Sequence, residues 1–178
     1  MFYNEHQKPK GVGILRVLGI DPGLATMGYG IVDTDGRKPV LVAAGAVITT
    51  PDMRMFDRLH KIYADVRDLL TLYKPDDIAF EELFFARNVT TALNVGAARG
   101  SSLCACAEFT ANIYEYTPMQ IKQAVVGYGK ADKRQIQQMV KLLLSLPDII
   151  RPDDAADAVA AALTHVNAGA RKFEFLMK

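Results

Sequence analysis

The chain has 178 residues, of which 50% are hydrophobic and 23% are charged, and its formal net charge is +1. This length and apolar content suffice for one domain with a buried core, and they exclude a largely disordered chain. The apolar runs stop well short of a membrane span, and the first residues lack the apolar segment of a secretory signal. We therefore expect a cytoplasmic protein with no membrane association, and the net charge alone gives no reason to expect nucleic acid.

Apolar runs and helical spacing predict an alternating order of strands and helices after a flexible tail at 1–13. Glycine, proline and acidic turn residues separate the segments, and one continuous domain is expected over 14–168, followed by a C-terminal tail at 169–178. The predicted strands are 17–20, 28–32, 40–48, 78–80 and 112–116, and the predicted helices are 52–73, 88–109, one beginning at 117, one containing 136–143, and one over 152–166.

Two of the predicted strands end in an acidic residue. Asp21 follows the apolar run 17–20 and precedes a Pro-Gly turn, and Glu81 follows the run 78–80. A carboxylate at the end of a buried strand is costly unless it is hydrogen-bonded or holds a cation. The alternatives are that Asp21 is an ordinary turn residue, and that Glu81 and Glu82 are a solvated pair that leads into a loop.

The last predicted helix carries three acids in its first turns. Pro152 suits the first helical position, and Asp153 and Asp154 are residues that any helix N-terminus favours. That preference does not cover Asp157, one turn further on. At about 100° per residue, Asp157 lies within about 60° of both earlier acids on the helical wheel. The helix therefore presents an acidic edge, on which Asp153 is expected to cap or stabilise the helix start.

Two strands that end in acid and a helix that carries acids one turn apart give four carboxylates that can converge. Like charges at close range in a low-dielectric site repel strongly, so such a cluster requires cations. Two Mg²⁺ ions, or Mn²⁺ as a substitute, are the usual partners in phosphodiester hydrolysis. The residues therefore predict a metal-dependent nuclease.

A basic region lies between Thr117 and Arg151, where six basic residues face two acidic ones, a balance of +6 − 2 = +4. The glycine-rich loop at 127–130 contains Tyr128 and Lys130, and a flexible basic loop of this kind suits a phosphate backbone. The charges that follow in the next helix could also form an ordinary solvated face, which is the commoner case for any helix, and the sequence leaves both interpretations open.

Five motifs in a fixed order resemble the RuvC family of Holliday-junction resolvases, and the resemblance extends from about Val17 to Val166. Together they are far more specific than Asp-Pro-Gly alone. The motifs are Ile-Asp-Pro-Gly at 20–23 with Gly-Tyr-Gly at 28–30, Glu81 with Phe84, Asn-Val-Gly-Ala-Ala-Arg-Gly at 94–100, Lys-Gln-Ala-Val-Val-Gly at 122–127, and Asp-Ala-Ala-Asp-Ala at 154–158.

The resemblance implies an α/β fold of the ribonuclease H type, with a mixed five-stranded sheet flanked by helices. It also implies a homodimer that makes paired symmetric nicks across a four-way DNA junction in recombination and repair, together with a branch-migration helicase complex. The small residues of the 88–109 helix suit close approach of the sheet or of a second subunit. By the resemblance, Asp21, Glu81, Asp154 and Asp157 are the metal-binding catalytic acids.

DNA contacts are expected from Phe84 and from the basic region. By the resemblance, Lys122 and Lys133 are close to the scissile DNA, and Phe84 contacts bases at the junction centre. The full expected set is Phe84, Lys122, Lys130, Lys133 and Arg134.

Three other functions are compatible with parts of the pattern. Actin-like sugar kinases share the strand-turn-strand around Asp-Pro-Gly, a non-cleaving module could bind junctions through the basic loop, and a smaller relative trims ribosomal RNA precursors. His165 lies near the Asp154 side of the wheel, and some relatives of the family use histidine in place of one acid. It is three turns further along the helix, and we do not expect it at the metal.

Overall fold

The computed structural model describes residues 13–83, 89–110 and 112–178, without the side chains at 89 and 90. The predicted order of strands and helices is confirmed, with shifts of a few residues at the ends. The strands are β1 Leu15–Asp21, β2 Thr26–Thr34, β3 Val40–Ile48, β4 Asp77–Glu81 and β5 Ile113–Tyr116. The helices are α1 Met55–Tyr73, α2 Val89–Phe109, α3 Pro118–Val126, α4 Lys133–Leu143 and α5 Asp153–Ala168, followed by a 3-10 helix at Gly169–Phe175.

The strands form one five-stranded sheet in the order β3-β2-β1-β4-β5. β1 pairs antiparallel with β2, and β2 pairs antiparallel with β3. β4 lies parallel to β1 on its other side, and β5 lies parallel to β4. The mixed sheet flanked by helices is therefore confirmed.

Helices cover both faces of the sheet, because the side chains of each strand point alternately to either side. Leu18, Ile20 and Phe80 pack with α1 and α2 on one face. Val17 and Ala79 pack with α3, α4 and α5 on the other. In the part of the chain that the structure describes, no helix is both long and apolar enough to cross a membrane.

The α5 backbone lies directly against glycines of the two central strands. A Cβ atom at Gly19 would lie 1.9 Å from the carbonyl oxygen of Ala158, and one at Gly28 would lie 1.9 Å from that of Asp154. No side chain can occupy such a gap. The glycines therefore set the depth at which α5 packs on the sheet.

The central part of α5 is buried on all sides. Residues 155–156 and 158–165 are all buried, because the sheet covers one side of the helix while α3 and α4 contact another. Asp154 and Asp157 remain partly exposed.

A buried ion pair joins the start of β1 to the end of β2. Arg16, which is 1% exposed, donates from Nε to Oδ1 of Asp33 at 2.7 Å and from Nη2 to Oδ2 at 2.8 Å. Its Nη1 also donates to the carbonyl oxygen of Tyr73 at 2.9 Å. The sequence suggests Asp33 as a turn residue, whereas it lies within β2 and neutralises a buried guanidinium, as such a group requires.

The C-terminal residues contact the domain. The Lys172 ammonium contacts the buried carboxylate of Asp77, and the backbone N–H of Met177 donates to the carbonyl oxygen of Ile113 at 2.9 Å. Segment 169–178 is thus attached to the sheet, although the sequence places it in a tail outside the domain. The domain bounds themselves stay a prediction.

We expect Gly28→Ala to lower the free energy of unfolding by about 1–3 kcal/mol, because the added methyl group overlaps the Asp154 carbonyl and forces α5 off the sheet. Urea unfolding followed by circular dichroism measures the change. Gly100→Ala in α2 is the matched control. Its new Cβ meets no atom within 4 Å, and helix propensity predicts a gain of roughly 0.5–1 kcal/mol. Equal effects of the two substitutions would contradict this packing.

Candidate active site

Asp21 and Glu81 leave neighbouring strands at the same edge of the sheet. β1 and β4 are parallel, and Ile20 pairs with Phe80, so the residue after each lies at the same level. Strand alternation places Asp21 on the side of Gly19, which contacts α5, and Glu81 on the side of Ala79, which packs in the α5 core. Both carboxylates therefore belong to the α5 face of the sheet.

The start of α5 is brought to Asp21 through Gly28. Gly28 is the β2 partner of Asp21 in the sheet, and its lack of a side chain admits the Asp154 backbone. Asp157 follows one turn later on the same side of the helix. The packing thus unites two strand ends and one helix end, which is the arrangement that the sequence predicts.

The carboxylates of these residues act electrostatically on one another. Burial raises the pKa of Asp21 to about 7, with further increases from the charges of Asp157 and Asp154 and an opposing effect of Lys133. Burial likewise raises the pKa of Glu81 to about 8, with contributions from Asp21 and Asp157. We call Asp21, Glu81, Asp154 and Asp157 the acid cluster.

Lys133 is the cation in contact with the acid cluster. Its Nζ lies 2.9 Å from Oδ2 of Asp157 and 3.7 Å from Oδ2 of Asp153. Burial raises the pKa of the Asp157 carboxyl, and the hydrogen bond from Lys133 opposes that increase. Lys133 is the first residue of α4, whose N-terminus Asp132 caps by accepting a hydrogen bond from the backbone N–H of Gln135. Capping therefore fixes the helix end that carries the ammonium.

The donor set suits a hard divalent cation, because Mg²⁺ and Mn²⁺ prefer carboxylate oxygens. Carboxylates whose mutual repulsion raises their own pKa values gain most from such an ion. Within the described ranges, however, no three acidic, histidine or cysteine side chains already form a metal-binding group. The Lys133 ammonium lies on Asp157 and supplies positive charge there. The residues fit a metal that displaces it.

The predicted DNA-binding residues are distributed around this site. Lys122 in α3 is close enough to lower the pKa of Glu81, against the larger effect of burial. Lys130 and Arg134 are exposed in the loop before α4 and in its first turn. Phe84 lies outside the described residues.

Two neighbours of the predicted site have roles that the sequence does not predict. α5 begins at Asp153 after Pro152, and no side chain caps it. Of the two expected roles of Asp153, capping is therefore wrong, whereas its place in the first turn, where an acid favours the helix dipole, is confirmed. Asp153 instead accepts a hydrogen bond from Arg151. His165 is buried, with Nδ1 at 2.8 Å from the hydroxyl of Tyr116 and Nε2 at 2.9 Å from Oδ2 of Asp77, so both ring nitrogens are engaged away from the acid cluster.

Sequence reasoning missed the contact between Lys133 and Asp157, and one signal could have indicated the surrounding packing. Gly28 and Gly30 alternate along β2, and Gly19 is the β1 partner of Gly30. Glycines clustered on one face of a strand pair indicate close approach of another backbone. This glycine pattern indicates where a helix packs on the sheet, but it does not indicate the position of α4. No local sequence feature around Lys133 specifies its distance from Asp157.

The raised pKa values of Asp21 and Glu81 predict how stability depends on pH without metal. The folded state binds these protons more tightly than the unfolded chain, so stability falls as pH rises from the ordinary values of 3.8 and 4.5 through about 7 and 8. We expect Glu81→Gln to gain a few kcal/mol relative to the wild type between about pH 5.5 and pH 8, measured by urea unfolding in EDTA.

Asp148→Asn is the control for that comparison, because Asp148 is exposed and is not among the charges that act on Asp21 or Glu81. Its stability profile should run parallel to that of the wild type. If the Glu81→Gln profile also runs parallel to that of the wild type, the pKa of Glu81 is not raised in the folded protein.

Comparisons with known proteins agree with this geometry. The model of the family described as crossover junction endodeoxyribonuclease RuvC matches residues 17–165. The crossover junction endodeoxyribonuclease RuvC of Finegoldia magna is 50% identical over 162 residues, which cover 91% of this chain and 98% of that protein.

Solved structures give the same result. The Thermus thermophilus RuvC structure superposes with a TM-score of 0.82 at 38% identity, covering 88% of this chain and 96% of that one. A second structure, of T. thermophilus RuvC in complex with Holliday junction substrate, superposes with a TM-score of 0.81 at 36% identity and the same coverage. The ribonuclease H-like fold implied by the sequence resemblance is thereby confirmed, and the chain belongs to the RuvC family of crossover junction endodeoxyribonucleases.

Proposed function

We propose that this chain is a metal-dependent endonuclease that resolves four-way DNA junctions by paired symmetric nicks, in recombination and DNA repair. The observation that carries the proposal is the acid cluster, in which three separate elements place their carboxylates at one edge of the sheet. Family membership supports the substrate, since a relative at 36% identity has been solved with a Holliday junction. It also favours this function over a sugar kinase or a ribosomal RNA nuclease.

Asp21, Glu81, Asp154 and Asp157 are proposed as the catalytic acids and as the ligands of two Mg²⁺ ions, for which Mn²⁺ can substitute. Such ions lower the pKa of a bound water and stabilise the leaving oxygen in phosphodiester hydrolysis. The chain supplies the rigid ligand frame, because adjacent strand ends fix two acids and the helix packed on Gly28 fixes the others. The raised pKa values of Asp21 and Glu81 mean that binding a metal releases protons near neutral pH.

We expect Asp21→Asn and Asp154→Asn each to reduce nicking of a mobile four-way junction by at least about 10²-fold while binding persists, since each removes a charged ligand but little volume. Single-turnover cleavage in Mg²⁺ gives the rate, and electrophoretic mobility shift in Ca²⁺ gives the affinity. The matched control is Asp148→Asn, an exposed acid in the loop before α5.

Wild-type cleavage should also stop in EDTA. Undiminished nicking by Asp21→Asn, or full activity of the wild type in EDTA, would contradict the metal-dependent mechanism. Binding without any cleavage by the wild-type protein would indicate instead a non-cleaving junction module, the alternative that the basic loop leaves open.

The DNA contacts are proposed to come from Lys122, Lys130, Lys133, Arg134 and Phe84. The position of Lys122 near Glu81 supports a contact with a phosphate next to the acid cluster. The exposure of Lys130 and Arg134 supports contacts with phosphates further from the acid cluster. Phe84 rests on the family resemblance alone.

We expect Lys130→Ala to weaken junction binding and to reduce the slope of log affinity against log salt by about one, because one phosphate contact is lost. Fluorescence anisotropy over a salt series measures the slope. Lys74→Ala, in the loop that follows α1, is the control and should leave it unchanged. Equal slopes for wild type and Lys130→Ala would identify Lys130 as an ordinary solvated side chain.

A homodimer is proposed because two symmetric nicks require two active sites on a symmetric substrate. The small residues of α2 support close approach of a second copy, and Leu93 in this helix is an exposed apolar side chain. Sedimentation equilibrium should give about twice the chain mass, and a monomer even with junction bound would contradict this.

Association with a branch-migration helicase complex stays a prediction from the family resemblance, testable by co-sedimentation with that complex.

A further inference from the structure

The Lys133 ammonium lies between two carboxylates, of which only one belongs to the acid cluster. Nζ is 2.9 Å from Asp157 and 3.7 Å from Asp153, so a movement of less than about 1 Å would exchange one hydrogen-bonded partner for the other. The side chain is 51% exposed, and its long stem is free to make that movement.

Asp153 is held in place by groups outside the acid cluster. The Arg151 guanidinium donates to Oδ1, which leaves Oδ2 to face Lys133. Desolvation raises the pKa of Asp153, but the Gln137 amide, one turn after Lys133 in α4, acts together with Lys133 and Arg151 to lower that pKa overall. Gln137 is 6% exposed, and among the described residues its Nε2 has no partner at full hydrogen-bond geometry. Asp153 therefore places a negative charge at a fixed position next to the acid cluster.

A divalent cation at Asp157 and an ammonium on the same carboxylate repel each other, and both compete for the same oxygen atoms. We propose that Asp153 is a positioning residue that takes over the Lys133 ammonium when a divalent cation binds the acid cluster. Lys133 thus stabilises the cluster without metal, and Asp153 lowers the free-energy cost of displacing it. This inference rests on the proposed metal-dependent function and adds a role for a residue outside the ligand set.

A purely structural role of Asp153 leads to a different expectation. An acid in the first turn of α5 stabilises the helix dipole, and that effect does not depend on Lys133. A long-range attraction between Asp153 and the metal is likewise independent of Lys133. Only the proposed exchange makes the effect of Asp153 on metal affinity require the lysine, so a double-mutant cycle separates the exchange from the other two explanations.

The experiment measures the dissociation constant of Mn²⁺ for the DNA-free protein by electron paramagnetic resonance of the free ion. The proteins are the wild type, Lys133→Met, Asp153→Asn and the double variant. Lys133→Met should bind Mn²⁺ about fivefold more tightly, the upper range for an exposed ion pair, because the competing cation is removed. Asp153→Asn should bind about threefold more weakly, because the ammonium loses its second partner.

The decisive result is the double variant, which should match Lys133→Met. Additive effects of the two substitutions would overturn the proposal, and so would an unchanged affinity of Lys133→Met. Lys141→Met removes the same charge from the last turn of the same helix and should leave the affinity within about twofold. Thermal unfolding of each variant confirms that the compared proteins are folded.

Asp21→Asn distinguishes failure of this inference from failure of the proposed function. If the wild type binds Mn²⁺ and Asp21→Asn does not, the metal site stands, and the cycle decides the role of Asp153. If neither the wild type nor Lys133→Met binds Mn²⁺ more tightly than Asp21→Asn does, the acid cluster is not a metal site, and the inference falls with it.

Discussion

Repulsion among four carboxylates is the constraint on which the rest of this site depends. Asp21 and Glu81 sit at the ends of adjacent buried strands, and α5 brings Asp154 and Asp157 against them. The fold maintains this crowding because Gly19, Gly28 and Gly30 have no side chains, which lets α5 pack directly against β1 and β2. The crowded carboxylates therefore lower the free energy of unfolding, as is common where a site must hold charge.

Positive charge from α4 and α3 partly offsets that repulsion. Lys133 contacts Asp157 directly, and Lys122 acts on Glu81 from α3. Both belong to the basic region, so the residues proposed to hold DNA phosphates also neutralise the carboxylates proposed to hold metal. A phosphate and a divalent cation that enter together would satisfy both sets of charges. The electrostatics of the metal-free protein are therefore complementary to a complex of DNA and metal.

Local patterns in the sequence were sufficient for the order of strands and helices, and the family resemblance supplied the fold type and the choice of Asp154 over its neighbour Asp153. Strand-end acids and the spacing of Asp154 and Asp157 can be identified without tertiary information. The contact between Lys133 and Asp157 could not be predicted, since it depends on how α4 packs against α5. The predicted capping of α5 by Asp153 is absent for a related reason. Pro152 takes the cap position, and Arg151 is available as a closer partner for the carboxylate.

The central claim is that the four acids form one divalent-metal site. Crystals of the protein equilibrated with Mn²⁺ and measured at the manganese absorption edge locate the ions directly. The account predicts anomalous density within coordinating distance of Asp21 and Glu81 and of at least one of Asp154 and Asp157. Manganese bound elsewhere, with no anomalous density at the acid cluster under saturating Mn²⁺, would contradict it.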